Sequence, residues 1–257
     1  MCLTEETTET LYLLGEQDRI VGISGFTVRP PEARKTKPKV SAFTSAKTER
    51  IIDLNPDLVI GFSDLQADIA KDLVAAGINT LVFNQRSVQE ILSMILTLSG
   101  IVGCAAKGQQ LVDGYVERLQ LIKTAGKALP TTPRVYFEEW DEPMISAIQW
   151  VSELIGIAGG EDVFSHLGKE SHAKHRILPN VQPVIDANPD VIIGSWCGKK
   201  FRPEKVAARS GFESITAVKN NELHEIKSPL ILQPGPAALT DGLDELHRII
   251  SAVAYQH

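Results

Sequence analysis

The stretch Ile51-Ile52-Asp53-Leu54-Asn55-Pro56-Asp57-Leu58-Val59-Ile60-Gly61 returns 133 residues later as Val184-Ile185-Asp186-Ala187-Asn188-Pro189-Asp190-Val191-Ile192-Ile193-Gly194. Each copy has a helix end, a break at Asn-Pro and a short apolar run that ends at glycine. Proline ends the helix, and the residue before it favours extended geometry. The apolar run is typical of a strand buried on both faces, as in parallel sheets covered by helices. The duplication predicts one α/β unit used twice.

Strand and helix patterns alternate around both copies of the repeat. Apolar runs rich in β-branched residues indicate strands, and apolar residues at helical spacing between a polar start and a glycine indicate helices. We therefore expect an α/β fold with two Rossmann-like lobes and parallel-rich sheets. The strand candidates are Arg19–Ile23, Thr80–Phe83, Arg134–Phe137 and Leu223–Ile226, and the helix candidates are Leu65–Ala76 and Pro203–Ser210.

A long helical region separates the two halves. Val88–Val102 has the pattern of one helix, and a second runs from Ala105 to about Ala125, where Gly126 and Pro130 are expected to stop it. A helix of roughly 20 residues is about 30 Å long, enough to join two lobes as a stiff rod. The expected divisions are an N-terminal lobe over 1–86, the lobe helix plus connecting helix over 87–130, and a C-terminal lobe over 131–257.

Composition excludes some classes of partner. The 257-residue chain has a net charge of −6, and its richest basic stretch, Arg34–Lys39, is short and lies next to prolines. A nucleic-acid surface needs clustered Lys and Arg, so we expect no nucleic-acid partner. No apolar run reaches the roughly 18 residues of a membrane span. Cys2, Cys104 and Cys197 form neither a C-x-x-C motif nor a disulfide framework.

The N-terminus, Met1-Cys2-Leu3-Thr4-Glu5-Glu6, lacks the basic and apolar regions of a secretory signal. As the sequence stands we expect a cytoplasmic protein, and a signal peptide upstream of this start would make it periplasmic. Motifs of phosphate loops, dinucleotide-binding loops, nucleophile elbows and zinc proteases are absent from the sequence. We therefore expect no catalytic residues and no enzyme activity.

Further motifs accompany the repeat. Gly22-Ile23-Ser24-Gly25-Phe26 and Arg29-Pro30-Pro31-Glu32 lie in the first half. Together with the repeat and the connecting helix, they resemble the helical-backbone class (class III) of ABC-importer substrate-binding proteins, in its vitamin B12 (cobalamin)-binding-like branch. The resemblance covers nearly the whole chain. It implies two lobes joined by a single long α-helix, a ligand cleft between the lobes, and non-catalytic capture of a corrinoid. The second-half motifs are Phe137–Trp140, Trp150–Leu154, Gly159–Phe164, Ser195–Gly198 and Gln233–Pro236.

The candidate ligand-binding residues follow the predicted strands, because ligands of open α/β sheets bind beyond the carboxyl ends of strands. Trp140 and Trp196 suit a flat macrocycle, and their alternative is packing within their own lobes. Glu5 and Glu6 complement the first helix dipole or accept hydrogen bonds from ligand amides. The expected ligand-binding residues are Glu5, Glu6, Gly25, Phe26, Arg29, Phe62, Glu139, Trp140, Trp150, Trp196, Cys197 and Gln233.

The resemblance also implies a protein partner. Importer-docking members of the family present an acidic residue on each lobe to basic pockets of the permease. Glu49 matches the first position, whereas Gln182 stands at the second. Loss of one charge-assisted contact would make docking to an ABC importer permease asymmetric. We expect a monomer that binds a small molecule.

Two alternatives stay open. A haem or a ferric siderophore is the alternative ligand of the same fold, with Arg29, Lys199, Lys200 and Arg202 as candidates to meet its negative charge. The other alternative is a cytoplasmic cofactor-handling protein or an enzyme. The main expectation requires no cofactor; a corrinoid with its cobalt, or an iron chelate, would be the bound ligand.

Four side chains raise the question of a protein-bound metal. Cys197 follows a predicted strand, but a small buried cysteine is the usual interpretation. His166, His172 and His175 match no zinc template, and basic neighbours in the same segment would repel a cation. We expect a solvated or cleft-rim loop over Ser165–Arg176 and no metal site.

Overall fold

A computed structural model describes residues 1–256. The chain forms two compact units, the first from Met1–Gln85 and Gln89–Gly114, the second from Arg86–Val88 and Tyr115 onward. The last boundary falls inside the 23-residue helix Ala105–Lys127. The predicted long helix is therefore confirmed, although it continues through Gly126 instead of stopping there.

The first unit contains four short strands and the helices that follow them. Its predicted strand at Thr80–Phe83 and its predicted helix from Val88 are confirmed, the helix ending one residue early. Its elements are α1 (Glu5–Leu13), β1 (Ile23–Ser24), α2 (Pro31–Thr36), β2 (Lys39–Ser41), α3 (Thr48–Asp53), β3 (Val59–Phe62), α4 (Ala67–Ala75), β4 (Thr80–Phe83), α5 (Val88–Ile101) and α6 (Ala105–Lys127), the last shared with the second unit.

All strand pairs of the first unit are parallel. β1 pairs with β2, and β3 pairs with β4. The first residues of the chain join these pairs, because Cys2 bridges to both Ile23 and Ile60. The Cys2 amide donates to Gly22 at 3.0 Å, and the Leu3 amide donates to Ile60 at 2.8 Å. Cys2 and Leu3 therefore link the two strand pairs.

The predicted strand over Arg19–Ile23 is wrong for most of its length. Only Ile23 lies in a strand, and Gln17–Arg19 forms a 3₁₀ turn. Arg19 is exposed and paired with Glu16 at 2.7 Å, and Ile20 is buried without belonging to a strand.

The second unit holds one five-stranded sheet. The strand order is β6-β5-β8-β9, and β7 also pairs with β5. Only β6 runs antiparallel to its neighbour. The elements are β5 (Arg134–Asp141), β6 (Met144–Ser146), α7 (Gln149–Ala158), β7 (Glu161–Asp162), α8 (Ser165–Gly168), α9 (Gln182–Ala187), β8 (Val191–Gly194), α10 (Pro203–Ala207), α11 (Thr216–Lys219), β9 (Leu223–Glu225), α12 (Ser228–Ile231) and α13 (Leu243–Ala254).

The two copies of the repeat form the same local structure in each unit. The first copy gives α3 and β3, and the second gives α9 and β8. Both strands are buried along their whole length, as expected of covered parallel strands. The expectation of extended geometry before proline is wrong, because Asn55 and Asn188 have φ values of 43° and 40°. Asparagine tolerates this left-handed conformation, which turns the chain from helix to strand.

The glycine that closes each copy allows a close approach of another side chain. A Cβ on Gly61 would lie 2.8 Å from Oε1 of Gln66, and one on Gly194 would lie 1.9 Å from the Phe201 ring. Gln66 accepts a hydrogen bond from the Phe62 amide, so this contact fixes the turn after β3. Phe201 packs edge-on against Trp196, so Gly194 makes room for an aromatic pair just beyond β8.

Within residues 1–256, no helix has both the length and the apolar character needed to cross a membrane.

The left-handed asparagines give a stability prediction. Asn188 Oδ1 accepts hydrogen bonds from the amide and the hydroxyl of Thr216 at 2.8 and 3.1 Å. Replacement by glycine keeps the backbone freedom but removes these bonds. We expect Asn188→Gly to lower the free energy of unfolding by about 1 kcal/mol in urea denaturation.

Asn55→Gly is the matched control, since Asn55 has the same backbone geometry and no side-chain hydrogen bond among the described residues. We expect Asn55→Gly to change stability by less than about 0.5 kcal/mol. Equal losses in both variants would contradict the assignment of the difference to the Thr216 contacts.

Candidate functional site

The carboxyl ends of β5, β8 and β9 lie at one edge of the second sheet. β5 and β8 are parallel, with Glu138 opposite Gly194, and β8 and β9 are parallel, with Gly194 opposite Glu225. Side chains that follow these strands therefore gather at this edge, which is where open α/β sheets bind their ligands.

A fully buried carboxylate, Glu138, organises this edge. Its Oε1 accepts hydrogen bonds from Trp196 Nε1 at 3.0 Å and from Arg209 at 2.9 Å. Its Oε2 accepts from the Tyr136 hydroxyl at 2.9 Å and from Arg209 at 2.5 Å. Each oxygen thus receives two donors, which is the full capacity of an ionised carboxylate. Burial, together with the nearby Glu138 carboxylate, raises the pKa of Tyr136 well above its usual range, so its hydroxyl stays a donor.

Trp140 and Trp196 lie at the ends of β5 and β8, and one lysine connects them. Lys199 Nζ is 4.1 Å from the centroid of the Trp140 ring and 5.1 Å from that of Trp196. The ammonium also pairs with Asp141. Trp140 is half-buried, and its Nε1 donates to the Glu142 carbonyl at 2.9 Å. Trp196 is only 4% exposed and packs in the core of its own unit, which fits its packing alternative, whereas Trp140 is half-buried. Hydrogen bonds and a shared cation set the orientations of the two indoles.

The placement of Glu139 and Trp140 in a loop is wrong. β5 continues to Asp141, because β6 pairs with its last residues: Trp140 lies opposite Ile145 and Asp141 opposite Met144. Trp140 thus projects from the end of a strand, still at the carboxyl edge.

A cavity of about 410 Å³ opens beside Trp196. Its lining comes from the segments that follow β8 and β9. Three of its residues are lysines and one is a glutamate. The lining residues are Trp196, Gly198, Lys199, Lys200, Glu225, Lys227, Ser228 and Pro229.

Glu139 is engaged by a buried arginine. Arg176 Nη1 lies 2.7 Å from Glu139 Oε2, and Nη2 lies 3.3 Å from Oε1. Only 1% of Arg176 is exposed, and Ser165–Gly168 is helical, so the expectation of a solvated or cleft-rim loop is wrong at both ends of the segment. An ion pair in this geometry supplies the charge compensation that a buried guanidinium needs. The ligand contact expected of Glu139 is untested, and this carboxylate already has a partner.

The remaining candidates of the second unit differ in exposure. Trp150 lies inside α7, where it is buried and donates from Nε1 to the Ile231 carbonyl at 2.9 Å, so its side chain fits the core-packing alternative. Gln233 is half-buried beyond α12. Cys197 is exposed, which departs from the usual buried cysteine. Partial desolvation and then the Glu139 carboxylate raise the pKa of its thiol, which disfavours the thiolate that a metal requires.

In the first unit, the candidate acidic residues are buried at the start of α1. Glu5 Oε2 accepts hydrogen bonds from the amides of Val28 and Arg29, the latter at 3.1 Å. Glu6 Oε1 accepts from the Thr4 hydroxyl at 2.5 Å. Burial raises the pKa of Glu5 and of Glu6 from 4.5 to about 7. Both carboxyls therefore hold their protons more firmly than exposed glutamates do.

Four other first-unit candidates surround the ends of β1 and β3. Phe26 is 64% exposed, whereas Phe62 is 5% exposed and fits the packing alternative. The Gly25 amide donates to the Ser41 carbonyl at 2.7 Å, and Arg29 Nε lies 2.9 Å from Glu9 Oε1. Of these four, Phe26 is the one that offers an apolar surface to a ligand.

The two docking positions have different surroundings. Glu49 is exposed in the first turn of α3. Gln182 begins α9, and its Nε2 donates to Asp186 Oδ1 at 2.7 Å. Glu49 and Gln182 thus differ in charge and also in their contacts, since the Gln182 side chain is hydrogen-bonded to Asp186.

Among residues 1–256, no group of three or more His, Cys, Asp or Glu side chains is arranged to hold a metal ion. His172 and His175 contact each other edge-on, with ring centroids 5.8 Å apart.

Several site residues escaped prediction from the sequence. Lys227, Ser228 and Pro229 follow β9, which was predicted as a strand, and the rule that ligands bind after strands would have identified them. Glu138 belongs to the Phe137–Trp140 motif, but its partner Arg209 lies 71 residues away, outside every motif, so the pairing had no sequence signal.

Comparisons with known proteins agree with this architecture. A family model described as a periplasmic binding protein matches residues 1–230. The chain is 28% identical over 258 aligned positions to a Bacillus subtilis protein named an uncharacterized ABC transporter substrate-binding lipoprotein, YvrC, covering 95% of this chain and 77% of that protein. It is 26% identical over 249 positions to a vitamin B12-binding protein of Vibrio parahaemolyticus, covering 92% and 84%.

A solved structure shows the same fold. The periplasmic haem-binding protein BhuT, in complex with two haems, superposes with a TM-score of 0.82 at 22% identity, covering 98% of this chain and 97% of that one. This likeness confirms the α/β class with parallel-rich sheets.

The buried Glu138 network gives a stability prediction. Glu138→Gln leaves the Arg209 guanidinium, 17% exposed, without its counter-charge. We expect the free energy of unfolding to fall by about 3 kcal/mol, because an unpaired buried charge is costly. Glu213→Gln, the same change at an exposed position, should cost less than about 0.5 kcal/mol. Urea denaturation measures both variants. Similar losses of unfolding free energy in the two would contradict a stabilising role of the Glu138 network.

The raised pKa values of Glu5 and Glu6 predict a pH dependence. Between about pH 4.5 and 7 the unfolded chain is ionised at these carboxyls while the folded protein keeps them protonated. The free energy of unfolding should therefore be fully retained below pH 4.5, fall as the pH rises, and level off above about 7. Glu6→Gln should reduce this decline by on the order of 3 kcal/mol.

Glu32→Gln, at an exposed position of the same unit, is the control and should leave the slope unchanged. Stability measured at several pH values by chemical denaturation checks both variants. The prediction is contradicted if the free energy of unfolding of the wild type rises between about pH 4.5 and 7 and that of Glu6→Gln follows the same course.

Proposed function

This chain belongs to the periplasmic binding protein family, and we propose that it is the substrate-binding component of an ABC importer and captures a corrinoid. Two relatives support the proposal: one is named an ABC transporter substrate-binding lipoprotein and the other a vitamin B12-binding protein. Both are matched over more than nine-tenths of this chain. Its action is binding and release, without catalysis.

The observation that carries the choice of ligand is the indole pair at the edge of the second sheet. Trp140 and Trp196 lie at neighbouring strand ends, and Lys199 contacts both rings. Large aromatic surfaces held in fixed orientations suit a flat macrocycle, because they bury area at low entropic cost. Exposed Phe26 adds an apolar surface in the first unit.

A haem is the second candidate ligand. The structural relative BhuT is described as holding two haems, and aromatic surfaces suit a porphyrin as well as a corrin. The lysines around the cavity beside Trp196 would meet the negative charge of a haem or an iron chelate. Binding of haemin in preference to cobalamin would select this alternative.

The proposal extends to the protein partner and the location. Glu49, exposed on α3, is proposed to contact a basic pocket of the importer permease, with a weaker contact at Gln182. The lipoprotein name of the Bacillus subtilis relative supports action outside the cytoplasm, which favours the periplasmic one of the two expected locations.

Titration of the purified protein with cyanocobalamin tests the function. We expect saturable changes in corrin absorbance and tryptophan fluorescence at micromolar concentrations. Trp140→Ala should weaken binding about tenfold, because an aromatic contact is worth roughly 1 kcal/mol beyond its buried area. Tyr255→Ala, which removes an aromatic side chain that is 73% exposed, is the matched control and should bind as the wild type does.

Absence of saturable binding of both cobalamin and cobinamide would refute the corrinoid proposal. Equal affinities of the wild type and Trp140→Ala for cyanocobalamin would show that Trp140 does not contact the ligand.

A further inference from the structure

The cavity beside Trp196 is basic, although the protein as a whole is acidic. The chain has a net charge of −6, yet three lysines and a single glutamate line this space of about 410 Å³. We infer that the cavity binds an oxyanion group of the ligand, a phosphate or a carboxylate, and so acts as a specificity site. The inference rests on the proposed function, because it concerns which part of the captured ligand enters the cavity.

Of the three lysines that line the cavity, Lys199 is held in place by contacts within the protein. Its ammonium pairs with Asp141 and lies over the Trp140 ring. These contacts neutralise its charge within the protein and hold it at the boundary between the indole pair and the cavity. Lys199 therefore marks where an aromatic-bound ligand would meet the basic lining.

Lys200 and Lys227 are differently placed. Both are exposed, and neither forms an ion pair with a carboxylate among residues 1–256. Glu225, the acidic residue of the lining, accepts a hydrogen bond from the Phe201 amide at 3.0 Å. Two lysines of the cavity lining thus have no acidic partner among residues 1–256. A ligand oxyanion would supply that partner through charge-assisted hydrogen bonds.

The size of the cavity indicates that a substituent enters it. A volume of about 410 Å³ is near the lower end for small-molecule sites, which range from about 300 to 1,000 Å³. It suits a charged side group while the macrocycle lies against the indoles. Cobalamin carries a phosphodiester in its nucleotide loop, and cobinamide lacks that group. Haemin carries two propionates, and its dimethyl ester has none that ionise.

The test compares these matched ligands on the full-length protein. We expect cobalamin to bind the wild type at least tenfold more tightly than cobinamide if the oxyanion is a phosphate. If the oxyanion is a carboxylate, haemin should bind the wild type more tightly than its dimethyl ester by a similar factor. The double variant Lys200→Met/Lys227→Met should lose the preference, with the affinity for the ligand that lacks the oxyanion unchanged. Lys205→Met/Lys219→Met, two exposed lysines outside the lining, should keep it.

A separate measurement keeps the inference testable when the ligand proposal fails. Inorganic pyrophosphate, followed by ³¹P NMR line broadening, should interact with the wild type and with Lys205→Met/Lys219→Met. It should not interact with Lys200→Met/Lys227→Met. If no macrocycle binds but this pattern appears, the proposed function fails and the basic site stands.

Two results would overturn the inference. One is the absence of any preference for the ligand that carries the oxyanion, together with equal affinities of the wild type and the double variant. The other is pyrophosphate broadening that is absent, or that is the same in the wild type and in Lys200→Met/Lys227→Met.

Discussion

The candidate site depends on one buried carboxylate. Glu138 has no exposed surface, and its two oxygens accept four hydrogen bonds from three side chains. A carboxylate in this environment is stable only when all its acceptor positions are filled. The donors therefore cannot move independently: Tyr136 on the same strand, Trp196 beyond the neighbouring strand and Arg209 beyond α10 are held together. The side chains at this edge are thus held in place because the buried Glu138 carboxylate needs all four of its hydrogen bonds.

This constraint explains how a general fold supports a particular surface. Parallel strands bring their carboxyl ends to one edge, and the residues after each strand are free to vary. Here the indole of Trp196 is tied inward by its nitrogen while its ring lines the cavity. Lys199 then joins it to Trp140. The result is an aromatic surface beside a basic cavity, a combination that suits a flat ligand carrying a charged substituent.

Sequence reasoning predicted the parts that depend on local pattern. The repeat predicted two α/β units, and periodicity predicted α5, α6 and β4 nearly to the residue. It failed where distant partners decide. β5 extends through Trp140 because β6 pairs with it. Arg176 is buried because it forms an ion pair with Glu139. Asn55 and Asn188 are left-handed because asparagine permits a turn that the proline rule alone does not describe. The ligand-binding roles of the candidate residues stay predictions.

Hydrogen exchange followed by mass spectrometry, with and without cobalamin, reports where a bound ligand protects the backbone. If the ligand binds at this edge of the second sheet, amides in 138–142, 195–200 and 225–229, the segments at the ends of β5, β8 and β9, will exchange more slowly with cobalamin. The 216–222 segment, which is outside this edge, should exchange at the same rate in both samples. Unchanged exchange in all three strand-end segments at a saturating cobalamin concentration would contradict the account.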